Sequence, residues 1–258
     1  MTSPAFDSPS LRGSVLGGSV ERTPPARLGV AVVADLVAGI VTGELAPGDA
    51  LPPEGVLSQR FGVSRTVIRE SVKRVEEKGL VTVAQGRGTT VNPPAAWNVL
   101  DPVVLSALVD HDDTLGVLDE LSIVRGSLES SMAAAAAQRQ TPERTEELRD
   151  AFAQTELTIG DLEQYYEADA QFHYVVMKQS GIRLAESITR ILFARARGSA
   201  RFVGAPGPEA VQQTLEEHRL ILDAIVDNDS DRAARAMSEH ISRAWARRRP
   251  PNHVSDDT

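Results

Sequence analysis

The chain has no cysteine in its 258 residues. That excludes a disulfide framework and thiolate metal sites, fits a reducing compartment such as the cytoplasm, and leaves histidine and carboxylate side chains as the only ligands for any ion. Aromatic residues are scarce, at 4%. With plentiful aliphatic residues, long alanine runs and scattered glycine, helix should dominate and sheet should be minor. No apolar run approaches the ~18 residues of a membrane span, and MTSPAFDSPSLRGSVLGGSVERTPP has neither a continuous apolar stretch nor a basic leader. A membrane partner is not expected, and residues 1–25 read as a disordered lead-in. GxGxxG, P-loop, GxSxG, CxxC and HExxH signatures are all missing.

Positive charge is also in short supply, with a net charge of -9, which argues against a protein that coats nucleic acid. The deficit is uneven. Residues 22–91 hold nine Lys/Arg against seven Asp/Glu, whereas residues 92–258 hold 17 against 27. A chain of this length accommodates one or two folded units, and the charge division favours two: 26–92 and 101–248, with a Pro-rich linker over 93–100 and a disordered tail over 249–258.

In the first unit, LGVAVVADLVAGIVTGEL (28–45) carries a helical apolar stripe at Val32, Leu36, Ile40 and Val41 and stops at Ala46-Pro47-Gly48-Asp49. Leu51-Pro52-Pro53-Glu54 opens a short second helix that Gly62 closes, and Ser64 is a good N-cap for a third, ended by Gly79. On that third helix Ile68, Val72 and Val75 form a buried stripe, while Arg65, Thr66, Arg69 and Lys73 cluster on a neighbouring sector. A solvated face is the ordinary reading of such a cluster alone. Cations at a helix start oppose the macrodipole, however, so a compensating partner outside the unit is expected, and phosphates and guanine edges would serve. LVTVAQGRGTTVNP then reads as a hairpin with Gly86 and Arg87 at its tip. Helix, turn, helix and hairpin wing together make a DNA-reading design.

PGDALPPE, FGVSRTVIRESVKRVEEKGLV and GRGTTV, in this order and spacing, resemble the winged helix-turn-helix of GntR-type bacterial transcriptional regulators. The resemblance implies that Ser64, Arg65, Thr66 and Arg69 contact DNA from the recognition helix and that Gly86 and Arg87 do so from the wing. Lys73 joins them on charge. One position departs from the family pattern: Gly55 stands where an arginine is common.

The second unit reads as helices over 101–110, 114–139, 142–159, 161–180, 182–203, 208–228 and 230–248, an all-α antiparallel bundle. Three histidines occupy apolar stripes: His173 with Val176, His218 with Leu215, Leu222 and Ile225, and His240 with Ala233, Met237 and Ala244. A single inward histidine is usually a core residue satisfied by one hydrogen bond. Three of them, with Asp169 one turn before His173, fit a divalent ion, because an unpartnered buried carboxylate is costly. Zinc is the first choice, with nickel, manganese and iron(II) also compatible. Arg125 falls on the core stripe of DELSIVRGSLESSMAAAAA, either as an internal salt bridge or as a clamp for a ligand carboxylate.

DAQFH, EEHRLILDAI and SEHISRA resemble the metal-bearing segments of the FCD ligand-binding domain of FadR-type GntR regulators, and VRGSLESSMAAAAA resembles its first long helix. The resemblance implies Asp169, His173, His218 and His240 as ligands and Arg125 at the effector, with Arg195 as a further pocket residue or else a surface ion pair. It also implies a homodimer on a two-fold DNA operator, repression of a catabolic operon, and relief by a small organic acid. WNVLDPVVL is similar to a stretch of sugar-acid-responsive members. The competing reading is a metal-dependent enzyme tethered to DNA. It lacks a base, since Glu217, about 100° round the helix from His218, should face away. The run Arg247-Arg248-Arg249 should simply complement the dipole of the last helix.

Overall fold

A computed structural model of the chain describes residues 25–198 and 207–249. Residues 1–24 and 250–258, most of the two segments expected to be disordered, lie outside the described residues, as do positions 199–203 of the helix expected over 182–203. The described residues form ten α-helices and one two-stranded antiparallel sheet. The fold is the one expected, a winged helix-turn-helix followed by a helical bundle.

The first unit comprises α1 (Pro25–Val41), α2 (Glu54–Phe61), α3 (Arg65–Glu77), β1 (Val81–Ala84) and β2 (Gly88–Val91). Its core gathers Val32, Leu36 and Ile40 of α1, Leu57 of α2, and Ile68, Val72 and Val75 of α3. The stripes read from the sequence are therefore the ones that meet. Gly62 leaves α2 at φ 64°, a left-handed turn that glycine adopts without penalty. Val81 pairs with Val91 and Ala84 with Gly88, so Gln85, Gly86 and Arg87 make the tip of the wing. One feature was not anticipated. Residues 48–51 lie along the free edge of β2, with Leu51 N donating to Thr89 O (2.8 Å) and Val91 N to Asp49 O (2.9 Å), which leaves the hairpin no exposed inner edge.

The segment after the wing is pinned. A Cβ on Gly79, at φ +80°, would lie 2.2 Å from Ala96 O, so only glycine admits this approach. Asn98 N donates to Lys78 O (2.9 Å), and Lys78 Nζ donates to Asp101 Oδ2 (2.6 Å). Asp101 Oδ1 in turn caps α4 (Pro102–Asp110), accepting from Val103 N and Val104 N. Helix α4 has two apolar faces: Val104 and Ala107 complete the core of the first unit, whereas Leu105 and Val109 pack with Leu118, Leu192 and Trp245 of the bundle.

The bundle holds α5 (Gly116–Ala137), α6 (Pro142–Leu157), α7 (Leu162–Ser180), α8 (Arg183–Arg197), α9 (Pro208–Val226) and α10 (Ser230–Arg248). Helix α5 packs against α7 and α10, α6 against α7, and α9 against α10, α6 and α5. Its cores draw on Phe152, Phe172, Met237, Ile225 and Phe193, among others. At the centre lies a set of polar side chains.

Candidate metal centre and DNA-reading face

Helix α7 supplies Asp169 and His173, one turn apart on its inward face; α9 supplies His218 and α10 supplies His240. All four are buried, none more than 5% exposed. His240 Nε2 lies 3.2 Å from His173 Nε2 and 3.3 Å from His218 Nε2, and Asp169 Oδ1 lies 3.6 Å from His218 Nε2. The His218 ring stacks on Phe172, centroids 4.4 Å apart, which fixes its direction.

The far nitrogens decide what the near ones can do. His173 Nδ1 donates to Glu129 Oε2 (2.7 Å) and His240 Nδ1 to Glu217 Oε2 (2.9 Å). Ionised carboxylates only accept, so both rings carry their proton on Nδ1. Burial alone would raise the Glu129 carboxyl, but Arg125 and His173 outweigh it and hold the group at about 2. Glu217 is likewise raised by burial and brought down to about 2 by Arg247 and His240. Burial, with neighbouring imidazoles, keeps His218 well below and His240 below the usual imidazole range. With Nδ1 engaged on a carboxylate, the His173 and His240 rings turn their Nε2 atoms toward each other at 3.2 Å.

A cation at that point would be within reach of both nitrogens. Two imidazole nitrogens bound at roughly 2.1 Å to one ion stand about 2.9–3.4 Å apart in octahedral or tetrahedral geometry, which brackets both separations observed. Asp169 Oδ1 is buried without a hydrogen-bond partner, as an unfilled ligand would be. The donor set therefore fits a divalent ion of the zinc type. A cavity of about 10 Å³ touches Arg125, Asp169, His173 and His240, large enough for one water. A second cavity of about 290 Å³ shares Asp169, Phe193 and Arg248 with it and adds Tyr166 and Arg197.

Several residues differ from expectation. Glu217 does not face away: α9 is enclosed by α10, α6 and α5, so a residue 100° from His218 is still buried, at 8% exposure, and reaches His240. Arg247 and Arg249 do more than complement a dipole. Arg247 grips Glu217 through two contacts of 2.8 Å, and Arg249, assigned to the tail, pairs with Asp119 at 2.9 Å. Arg125 is buried as expected, with its Nε on Glu129 Oε1 (2.7 Å) and its guanidinium 3.9 Å from the Phe193 ring centroid. Glu129 was missed, although its place four residues after Arg125 is the spacing of a helical ion pair. Arg195 is half-buried and lines neither cavity, whereas Arg197 lines the larger one.

On the first unit Ser64, Arg65, Thr66, Arg69, Lys73, Gly86 and Arg87 are all exposed. Arg69, Lys73 and Gly86 line a groove of about 820 Å³ between α3 and the wing. Ser64 has a structural task besides: its Oγ accepts from Val67 N (3.3 Å) and caps α3. Ser64→Ala is expected to lower stability by about 1 kcal/mol, read as a urea midpoint shift, while Ser64→Asp, also a good cap, restores it.

Residues 28–91 match the model of the bacterial regulatory proteins of the gntR family, and residues 120–243 match the FCD domain. The chain belongs to the GntR family. Its relatives include the HTH-type transcriptional repressor NanR of Klebsiella aerogenes, 30% identical over 244 residues that cover 89% of this chain and 90% of that one. The galactonate operon transcriptional repressor of Escherichia coli is 29% identical over 216 residues, covering 84% and 94%. Among solved structures, Lar, which controls expression of the Listeria monocytogenes agr system, aligns over 88% of this chain and 97% of its own at a TM-score of 0.55 and 18% identity, and so supports the fold. These relatives are regulators, and the GntR helix-turn-helix is a DNA-binding unit. No helix among the described residues is long and apolar enough to cross a membrane.

Proposed function

We propose that this GntR protein is a cytoplasmic transcriptional repressor of a catabolic operon, whose bundle holds a divalent metal ion and releases or tightens DNA when a small organic acid binds beside it. The observation that carries the reading is the convergence of three imidazole Nε2 atoms on one point, with carboxylates fixing two of the rings from behind. Residues 26–92 read DNA, 93–100 join the units, and 101–248 sense the ligand. Asp169, His173, His218 and His240 would hold the ion, zinc first and nickel, manganese or iron after it. The bound ion would supply a Lewis-acidic position for a ligand carboxylate or hydroxyl. Arg125 has its Nε committed to Glu129, and its outer nitrogens would grip the acid. Arg195 remains the second candidate on family grounds. The name of the galactonate relative favours a sugar acid.

On DNA, Ser64, Arg65, Thr66, Arg69 and Lys73 would enter the major groove and Gly86 and Arg87 would contact its edge, with two copies of the chain spanning a two-fold operator. The two carboxylates hydrogen-bonded to the imidazoles give an enzyme reading no free base: Glu217 is committed to His240 and Arg247, and Glu129 to Arg125 and His173. The test is metal analysis of the purified full chain together with a thermal-shift screen of sugar acids and hydroxy acids. About one ion per chain is expected, with an acid that stabilises the wild type but not Arg125→Ala. A chain that stays metal-free after incubation with zinc, nickel and manganese would overturn the ion site.

A further inference from the structure

The start of α2 lies against the start of α3, and there a dipeptide meets two arginines. Glu54 Oε1 accepts from Arg69 Nε at 3.1 Å, and Oε2 accepts from Arg69 Nη2 at 3.0 Å. Gly55 follows, and Arg65 Nη2 lies 3.3 Å from where a Cβ on Gly55 would stand, so any side chain there would push the guanidinium aside. Arg65 and Arg69 are one turn apart on α3. Both are thus seated on Glu54-Gly55. No acidic residue occupies the first turn of α3, so Glu54 is the anion that offsets two cations at a helix start.

The pairing has a counterpart in DNA. In the major groove a G·C pair shows two acceptors, guanine N7 and O6, beside one donor, the cytosine N4 amino group. An arginine fork and an adjacent carboxylate present the complementary pattern. A phosphate offers acceptors too, but it is charged, and at Arg69 it would stand beside an ionised carboxylate of the same sign. A neutral guanine edge meets no such repulsion.

We propose that Glu54 is a specificity-determining residue of the DNA interface: it positions Arg69, withholds it from phosphates, and with it reads one G·C pair in each half-site. The space at Gly55 seats Arg65 alongside. The proposal rests on α3 being the helix that faces DNA, and the experiment separates failure of the two. Full-length wild type, Glu54→Gln, Arg69→Ala and the double variant are compared in two assays. One is the salt dependence of binding to a short duplex of random sequence, and the other is selection of sites from a randomised duplex pool.

Glu54→Gln should bind the random duplex more tightly, with a slope of log K against log salt steeper by about 0.9, the share of one phosphate contact. Its selected sites should lose the G·C preference at one position per half-site. In the Arg69→Ala background the same change should have no effect on slope or selection. Gly55→Ala should alter preference at a neighbouring position and leave the slope alone. A Glu54→Gln protein that still selects the G·C pair, or whose effect persists without Arg69 as that of a bulk charge would, overturns the proposal. If Arg69→Ala binds and selects as wild type does, the placement of α3 on DNA fails first.

Discussion

Replacing Glu129 by alanine is expected to destabilise the metal-stripped protein by about 3–5 kcal/mol, the usual loss when one member of a buried charged network is removed. Glu129 is 1% exposed and serves two partners at once, Arg125 through Oε1 and His173 through Oε2, each at 2.7 Å. Its loss leaves a guanidinium, itself 5% exposed, with no carboxylate, and frees the His173 ring to turn. Urea melts followed by circular dichroism read the effect. Glu129→Leu combined with Arg125→Met should recover much of the loss, since removing both charges leaves neither unpaired. A loss below about 1 kcal/mol for the single variant would mean that water already reaches Arg125.

The second large effect is expected at His218. In the wild type a metal at about 1,000 times its dissociation constant adds roughly 4 kcal/mol, which for a chain of this size raises the melting temperature by roughly 8–16 °C. His218→Ala should abolish that metal-dependent rise, because among the described residues the imidazoles beside it, His173 and His240, would already be ligands and could not replace it. The variant also loses packing, by about 2–4 kcal/mol, but that loss is present without metal and subtracts out. A variant that keeps the full metal-dependent rise would show that His173, His240 and Asp169 suffice, or that the ion binds elsewhere.

The parts legible in the sequence were those with a local period. Ile68, Val72 and Val75 repeat every three or four residues and do form the core face of α3. His173, His218 and His240 stood out because imidazoles occupied apolar stripes, and the structure brings their Nε2 atoms together. What escaped was set by contacts between helices distant in sequence. Glu217 reaches His240 across 23 positions and Glu129 reaches His173 across 44, and no helical wheel drawn for one segment contains the neighbour that buries its other face. The same holds for residues 48–51, whose pairing with β2 replaces a loop with an edge. Glycine and proline marked the turns; they carried no information on which edge a turn would lie against.

The stretch joining the units would ordinarily be taken as the slack in the chain. It is instead riveted, by Gly79 against Ala96, by Asn98 on Lys78 and by Lys78 on Asp101, the residue that follows it and caps α4. Helix α4 therefore behaves as a shaft fixed to the reading head, about 13 Å long at 1.5 Å per residue, with its opposite side resting on the bundle through Leu105 and Val109. Beyond the shaft the chain passes through His111–Leu115, where Leu115 takes φ 62° before α5 begins. Helix α5 is the one that carries Arg125 and Glu129. On the proposed sensing role, a ligand that rotates α5 would turn the shaft at its root, and a small angle there would be magnified at the far end, where α3 would meet DNA.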